Sequence, residues 1–198
     1  MLIEEPPPGE DRDAAYATDR DSDGYVWNVT RLWGWRAEIY RNFSELRTSL
    51  MSSSSLTDRD WAVMVTATAS QLGDSYCSLA WGPKLAMLSD AGTAAQLIAN
   101  EPAPALSERE QALAAWTRQL VDDPNATTSS DVTRLRAVGL DDKEIFEATT
   151  FVAFRLAFST VNDALGAEPD RQLADAAPDP IRDAVGFGRP TAPEPSYP

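Results

Sequence analysis

A chain of 198 residues, 43% hydrophobic and 24% charged, can bury a core of its own without disulfides or a structural metal. Its formal charge of −14 repels nucleic-acid phosphates and anionic membrane surfaces. With no histidine and one cysteine, it excludes Ser-His-Asp triads, Cys-His dyads, His-ligated zinc and any intramolecular disulfide.

The opening MLIEEPPPGEDRD is acidic and proline-rich, without the basic region and apolar run of a signal peptide. No stretch approaches the roughly 18 apolar residues of a membrane-spanning helix. A cytoplasmic protein with neither a membrane nor a nucleic-acid partner is expected. Residues 1–22 read as a flexible acidic leader and 23–168 as the folded domain. Residues 169–198 read as a tail, in which Pro169, Pro178, Pro180, Pro190, Pro193, Pro195 and Pro198 favour extended or irregular backbone.

Between the ends the pattern is helical, and no strand signal of useful length occurs. Ile39, Tyr40, Phe43, Leu46 and Leu50 form one apolar stripe of a helix over about 36–51, broken by Ser52-Ser53-Ser54-Ser55. Thr57 caps a second helix over about 57–72, whose Ala and Val content predicts burial. A third runs from Ser75 to about Leu88, and Gly82-Pro83 should kink or restart it. A short helix covers 91–99. Ser107 and Glu110 form the capping box of the next, which ends at Asp122-Asp123-Pro124. Ser130-Asp131 opens a short helix that Gly139 stops. Asp141 then caps a long helix, 142–165, apolar around most of its circumference and ended by Gly166. Such a helix is central or faces a second copy, so a homo-oligomer (dimer, trimer or hexamer) is expected. The fold class is all-α.

Cys77 lies in Gly73-Asp74-Ser75-Tyr76-Cys77-Ser78-Leu79-Ala80-Trp81, in the first turn of the third helix. Unpaired N–H groups there lower a thiol's pKa and favour the thiolate; the alternative is a small buried hydrophobe. Arg155 interrupts the apolar pattern of the last helix, and is either paired with a carboxylate or directed at an anionic ligand. Trp81 and Trp27 are candidates for the wall of an apolar cavity, while Trp33, Trp35, Trp61 and Trp116 read as core or interface packing.

Several ordered segments resemble the alkylhydroperoxidase D-like, peroxidase-related branch of the carboxymuconolactone decarboxylase superfamily, over about residues 23–168. Asp23-Gly24-Tyr25-Val26-Trp27-Asn28 is similar to the family's opening, with Trp27 where proline is usual. Ser55-Leu56-Thr57-Asp58-Arg59-Asp60 resembles its helix start, and Asp163-Ala164-Leu165-Gly166 the end of its last helix. Leu135-Arg136-Ala137-Val138-Gly139-Leu140-Asp141-Asp142-Lys143-Glu144-Ile145 is the most specific match. The resemblance implies an all-α oligomer with a redox site of two cysteines, a histidine and a glutamate. Here only Cys77 matches that set: Asp74, Trp81 and Ala62 stand at the other three positions. A sulfenic acid on Cys77 would lack a resolving thiol, and no histidine relays protons, so neither a two-cysteine peroxidase cycle nor the decarboxylase chemistry is supported.

Three functions remain. One is an enzyme acting on a small hydrophobic molecule in an apolar pocket, by lyase, isomerase or cyclisation chemistry. In it Cys77 and Asp74 are the candidate catalytic residues, Asp74 as acid or base, and Trp81, Tyr76 and Trp27 bind substrate. The others are a one-cysteine peroxidase using Cys77 and a non-catalytic binding or structural subunit. No cofactor or metal motif is found.

Overall fold

The computed structural model describes residues 1–193; Pro195 and Pro198 of the expected tail lie outside the described residues. Eleven α-helices follow in order, with no strand among the described residues. They are α1 (Glu10–Asp23), α2 (Asn28–Trp33), α3 (Ala37–Ser52), α4 (Asp58–Leu72), α5 (Ser75–Leu88), α6 (Ala91–Ile98), α7 (Glu108–Asp122), α8 (Ser129–Ala137), α9 (Asp142–Leu165), α10 (Arg171–Ala176) and α11 (Asp179–Ala184). No helix among them is long and apolar enough to cross a membrane.

Helix α4 is the hub and packs against α5, α6, α7 and α9. Every residue from Asp60 to Ala69 is buried. Small Ala, Val and Thr side chains let four neighbours approach it on all sides, as its composition predicts. Gly73 adopts φ +72°, the left-handed conformation that ends α4 in one residue and reverses the chain into α5. That tight turn sets the start of α5 beside the end of α4.

Three apolar clusters surround α4. Trp61 and Phe151, ring centroids 4.7 Å apart, anchor the one between α4, α7 and α9. A second joins α4, α5, α6 and α11. The third gathers Val29, Leu32, Tyr76, Cys77 and Phe158, and Trp33 stacks on Phe158 at 5.7 Å. The candidate site grows from this last cluster.

Two expectations about the ends are corrected. Most of the leader is helix α1, docked on α2 and α3 rather than flexible. Its charged sequence hides one anchor: Tyr16 is buried, with the guanidinium carbons of Arg12, Arg20 and Arg31 at 5.0, 6.0 and 5.8 Å from its ring centroid. Gly34 leaves room for Pro6, since a Cβ there would lie 2.9 Å from the proline Cγ. The tail likewise holds α10 and α11, and Ile181 is wholly buried. Nor does α5 restart at Gly82-Pro83; it is one helix with Pro83 inside it. Gly82 is the seat for Ile181, because a Cβ at 82 would fall 2.9 Å from its Cγ2 and 3.0 Å from Cδ1 of Ile98. Ile181→Ala should therefore destabilise the whole domain by about 2–5 kcal/mol, the usual cost of emptying a buried aliphatic site. A melting temperature within one degree of the parent would show that the tail is not part of the core.

Candidate functional site

Asp74 is the N-cap of α5, and its Oδ1 accepts the Cys77 N–H at 2.8 Å. This fixes Cys77 on the inner face of the first turn, 2% exposed. Cys77 is among the residues that line a cavity of about 260 Å³, to which α1, α2, α3, α5 and α9 all contribute. Trp27, Tyr40, Tyr76, Trp81 and Phe158 supply aromatic walls. Asp23 and Lys84, both exposed, sit at the rim.

The sulfur has a cationic partner. Arg155 Nη2 donates to Cys77 Sγ at 3.0 Å, and the Ser159 hydroxyl lies 3.8 Å away. Arg155 is 2% exposed, lies against the rings of Phe158 (5.0 Å) and Trp81 (5.8 Å), and leaves its Nε without a partner. Even so, burial pushes the thiol pKa well up, helped by the charge of Asp74 and opposed by Arg155 and Ser159. The depressed pKa expected from the helix N-terminus is thus not what the fold delivers. Removing the sulfur from water outweighs the partial charge of the helix end.

Four of the five singled-out residues meet at this cavity: Cys77, Tyr76, Trp81 and Trp27. Tyr76 lines it, and its hydroxyl donates to Oδ2 of Asp170, which does not line the cavity. Trp27 is held from α1, its backbone N–H on Asp19 Oδ2 (3.1 Å) and its indole N–H on Asp23 Oδ2 (3.0 Å). Asp74 is the exception. It is wholly buried but does not line the cavity, and its Oδ2 has no partner. Asp163 lies close enough to feel it: burial first, then the charge of Asp74, raise Asp163 to about 7, against the pull of Arg189. Ala62, which the sequence resemblance sets against a glutamate, is buried in the cluster with Leu79 and Leu85 and also stays outside the cavity.

Arg155 meets no carboxylate among the described residues; its acceptor is the Cys77 sulfur, a partner that neither expected alternative named. Two more cations escaped the sequence reading. Arg47 lines the cavity from α3, and Lys84 holds its Nζ 4.4 Å from the Trp81 ring centroid. The signal was present. Arg47 continues the inward row Tyr40, Phe43 at four-residue spacing, and Lys84 follows Cys77 and Trp81 on one face of α5.

No family model matches the chain, and no curated protein does. Solved structures do match. A peroxidase-related protein from Ralstonia eutropha, described as an alkylhydroperoxidase AhpD core, superposes with a TM-score of 0.76 at 21% identity, covering 87% of this chain and 93% of that one. An uncharacterised peroxidase-related protein from a Silicibacter species gives 0.76 at 19% identity over the same shares, 87% and 93%. The debrominase Bmp8 gives 0.67 at 13% identity, covering 88% and 91%. A cysteine-to-alanine variant of Bmp8, in complex with 2,3,4-tribromopyrrole, matches with 0.67 at 12%. The chain therefore has the alkylhydroperoxidase D-like fold, an all-α scaffold shared with peroxidase-related proteins and with a debrominase.

Proposed function

We propose that the chain is a diverged enzyme on the alkylhydroperoxidase D-like scaffold, acting on a small hydrophobic metabolite, with Cys77 as the reacting group. One observation carries the reading: Cys77 lines an aromatic-walled cavity, and a buried guanidinium contacts its sulfur. When the thiol gives up its proton, the charge that forms has a partner in place, and no solvent need reorganise around it. Asp74 acts as a positioning residue, holding the turn that presents Cys77 and setting its charge environment. The reaction class is lyase, isomerase or cyclisation chemistry. The complex of the debrominase variant with a halogenated pyrrole supports this use of the fold.

The one-cysteine peroxidase fits the geometry less well. A sulfur 2% exposed with a raised pKa is mostly thiol at neutral pH, and thiolate is the form a hydroperoxide oxidises. A homo-oligomer belongs to the proposal too, supported by Phe146 of α9 at 68% exposure; sedimentation as a monomer would remove that part.

The test is occupancy. Cys77 is the only thiol, so each iodoacetamide adduct reports on this cavity. Indole, a neutral aromatic probe, should slow adduct formation in a saturable way. An adduct rate untouched by any cavity-sized aromatic would sink the reading, as would turnover of a later-identified substrate surviving in Cys77→Ser.

A further inference from the structure

The cavity holds more positive charge than its protein partners answer. Arg47, Lys84 and Arg155 all line it, and among the described residues none has a carboxylate within ion-pairing distance. This is unexpected in a chain with 31 acidic and 17 basic residues, where carboxylates are plentiful. The two acids at the same cavity, Asp19 and Asp23, accept hydrogen bonds from Trp27; Asp23 also favours the charged form of Lys84, but three cations face two acids and none is ion-paired among the described residues. Arg155 is the costliest case: a guanidinium 2% exposed, with Nε unpartnered and a sulfur as its hydrogen-bond acceptor. A buried cation without a counter-charge is destabilising, so its retention beside the cavity calls for an occupant that supplies one.

We propose that the ligand of this cavity is a small aromatic anion, a carboxylate in the first instance. Its ring lies among Trp27, Tyr40, Trp81 and Phe158, and its anionic head lies on Arg155 and Arg47, with Lys84 closing the rim. This rests on the reading that the cavity is the working site, and it names the substrate class. A planar guanidinium fork takes a carboxylate through two parallel N–H donors, which an ammonium cannot do, so the two arginines bind and Lys84 adds charge at the mouth. The cations act on one another: partial burial, then the charge of Arg155, lowers Arg47, against Tyr40, and partial burial, then Arg47 and Arg155, lowers Lys84, against Asp23. An anion relieves all three at once.

Benzoate, benzamide and indole separate the possibilities. Binding is measured by calorimetry and by protection of Cys77 from iodoacetamide, on the full chain and on Arg47→Met and Lys84→Met, whose side chains are not fully buried. Benzoate should bind and protect about tenfold more tightly than benzamide, the discrimination of one charge-assisted hydrogen bond. Each variant should lose most of that preference, its affinity falling more for benzoate than for either neutral probe. Equal binding of benzoate and benzamide overturns the charge assignment and leaves the hydrophobic-pocket reading standing. Benzoate that binds without protecting Cys77 overturns it as well, by locating the anion elsewhere. If no probe, indole included, binds or protects, both readings fall.

Discussion

Arg155→Met should slow alkylation of Cys77 by iodoacetamide, and Asp74→Asn should speed it. The two act on one proton from opposite sides. Arg155 Nη2 lies 3.0 Å from the sulfur and favours thiolate, while Asp74 is the largest influence after burial that favours thiol. A hydrogen bond to a charged group contributes about 1.5–3 kcal/mol, so its loss raises the thiol by roughly one to two pKa units. A more basic thiolate is also a better nucleophile, and this offsets about half of the lost population. The net change is about three- to tenfold slower at pH 8 for Arg155→Met, and about threefold faster for Asp74→Asn. Asparagine caps a helix as well as aspartate does, so α5 still begins at the same residue. Access and ionisation are told apart by sign: a more open site would speed both variants, whereas a change in charge moves them in opposite directions. If both variants shift rates in the same direction, neither residue sets the charge state of Cys77.

How far the sequence foretold this arrangement depended on the range of the signal. Helix boundaries rest on residues within a turn of one another. Thr57 with Asp60, Ser107 with Glu110 and Asp141 with Glu144 are all formed capping boxes, and Gly139 and Gly166 take φ +90° and +80° where stops were expected. The short helix before Gly139 starts one residue earlier than read, capped by Thr128. Cys77, Tyr76 and Trp81 were legible as a group because two successive turns of one helix carry them. The ends of the chain were not, because single anchors hold them. Tyr16 and Ile181 each dock a stretch whose average composition reads as unstructured, and an average conceals one well-placed side chain. Arg155 was legible as an oddity of its helix, but Arg47 and Lys84 were missed for a related reason: the three come from different helices, and only the packing of α3, α5 and α9 brings them to one cavity. Asp74 shows the converse. Proximity to Cys77 in sequence suggested a shared pocket, but an N-cap side chain turns back to its own helix and so away from the space its neighbour faces.

Arg109→Met should cost roughly 3 kcal/mol at neutral pH and almost nothing in acid. The N-termini of α4, α7 and α9 are capped by Asp60, Glu110 and Glu144, each of which accepts the backbone N–H of its own cap residue, at 2.9, 2.7 and 2.9 Å. All three carboxylates are buried. Two arginines compensate them. Arg109 spans from Glu144 (2.9 Å) to Asp60 (3.6 Å), and Arg59 meets Glu110 at 2.6 Å. Methionine at 109 keeps the aliphatic stem and leaves two carboxylates without their cation, which is far worse than never having built the pair. For a chain of this length the loss corresponds to a melting temperature lower by roughly 6–12 °C. The sign with pH follows from Glu144. Partial burial raises it, but the Asp141 N–H, Arg109 and Ser55 together bring it below the ordinary glutamate value. A depressed carboxylate stabilises above its unfolded pKa, near 4.3, and that stability is lost as pH falls through its folded pKa. The gap between parent and variant should thus be full at pH 7 and close progressively below about pH 4. A gap that stays constant down to pH 3 would mean that Arg109 contributes packing alone. Asp60 and Glu144 lie in two of the segments through which the sequence resembles the family. Both act at helix ends, away from the cavity, so what those segments specify is helix termination and not the site.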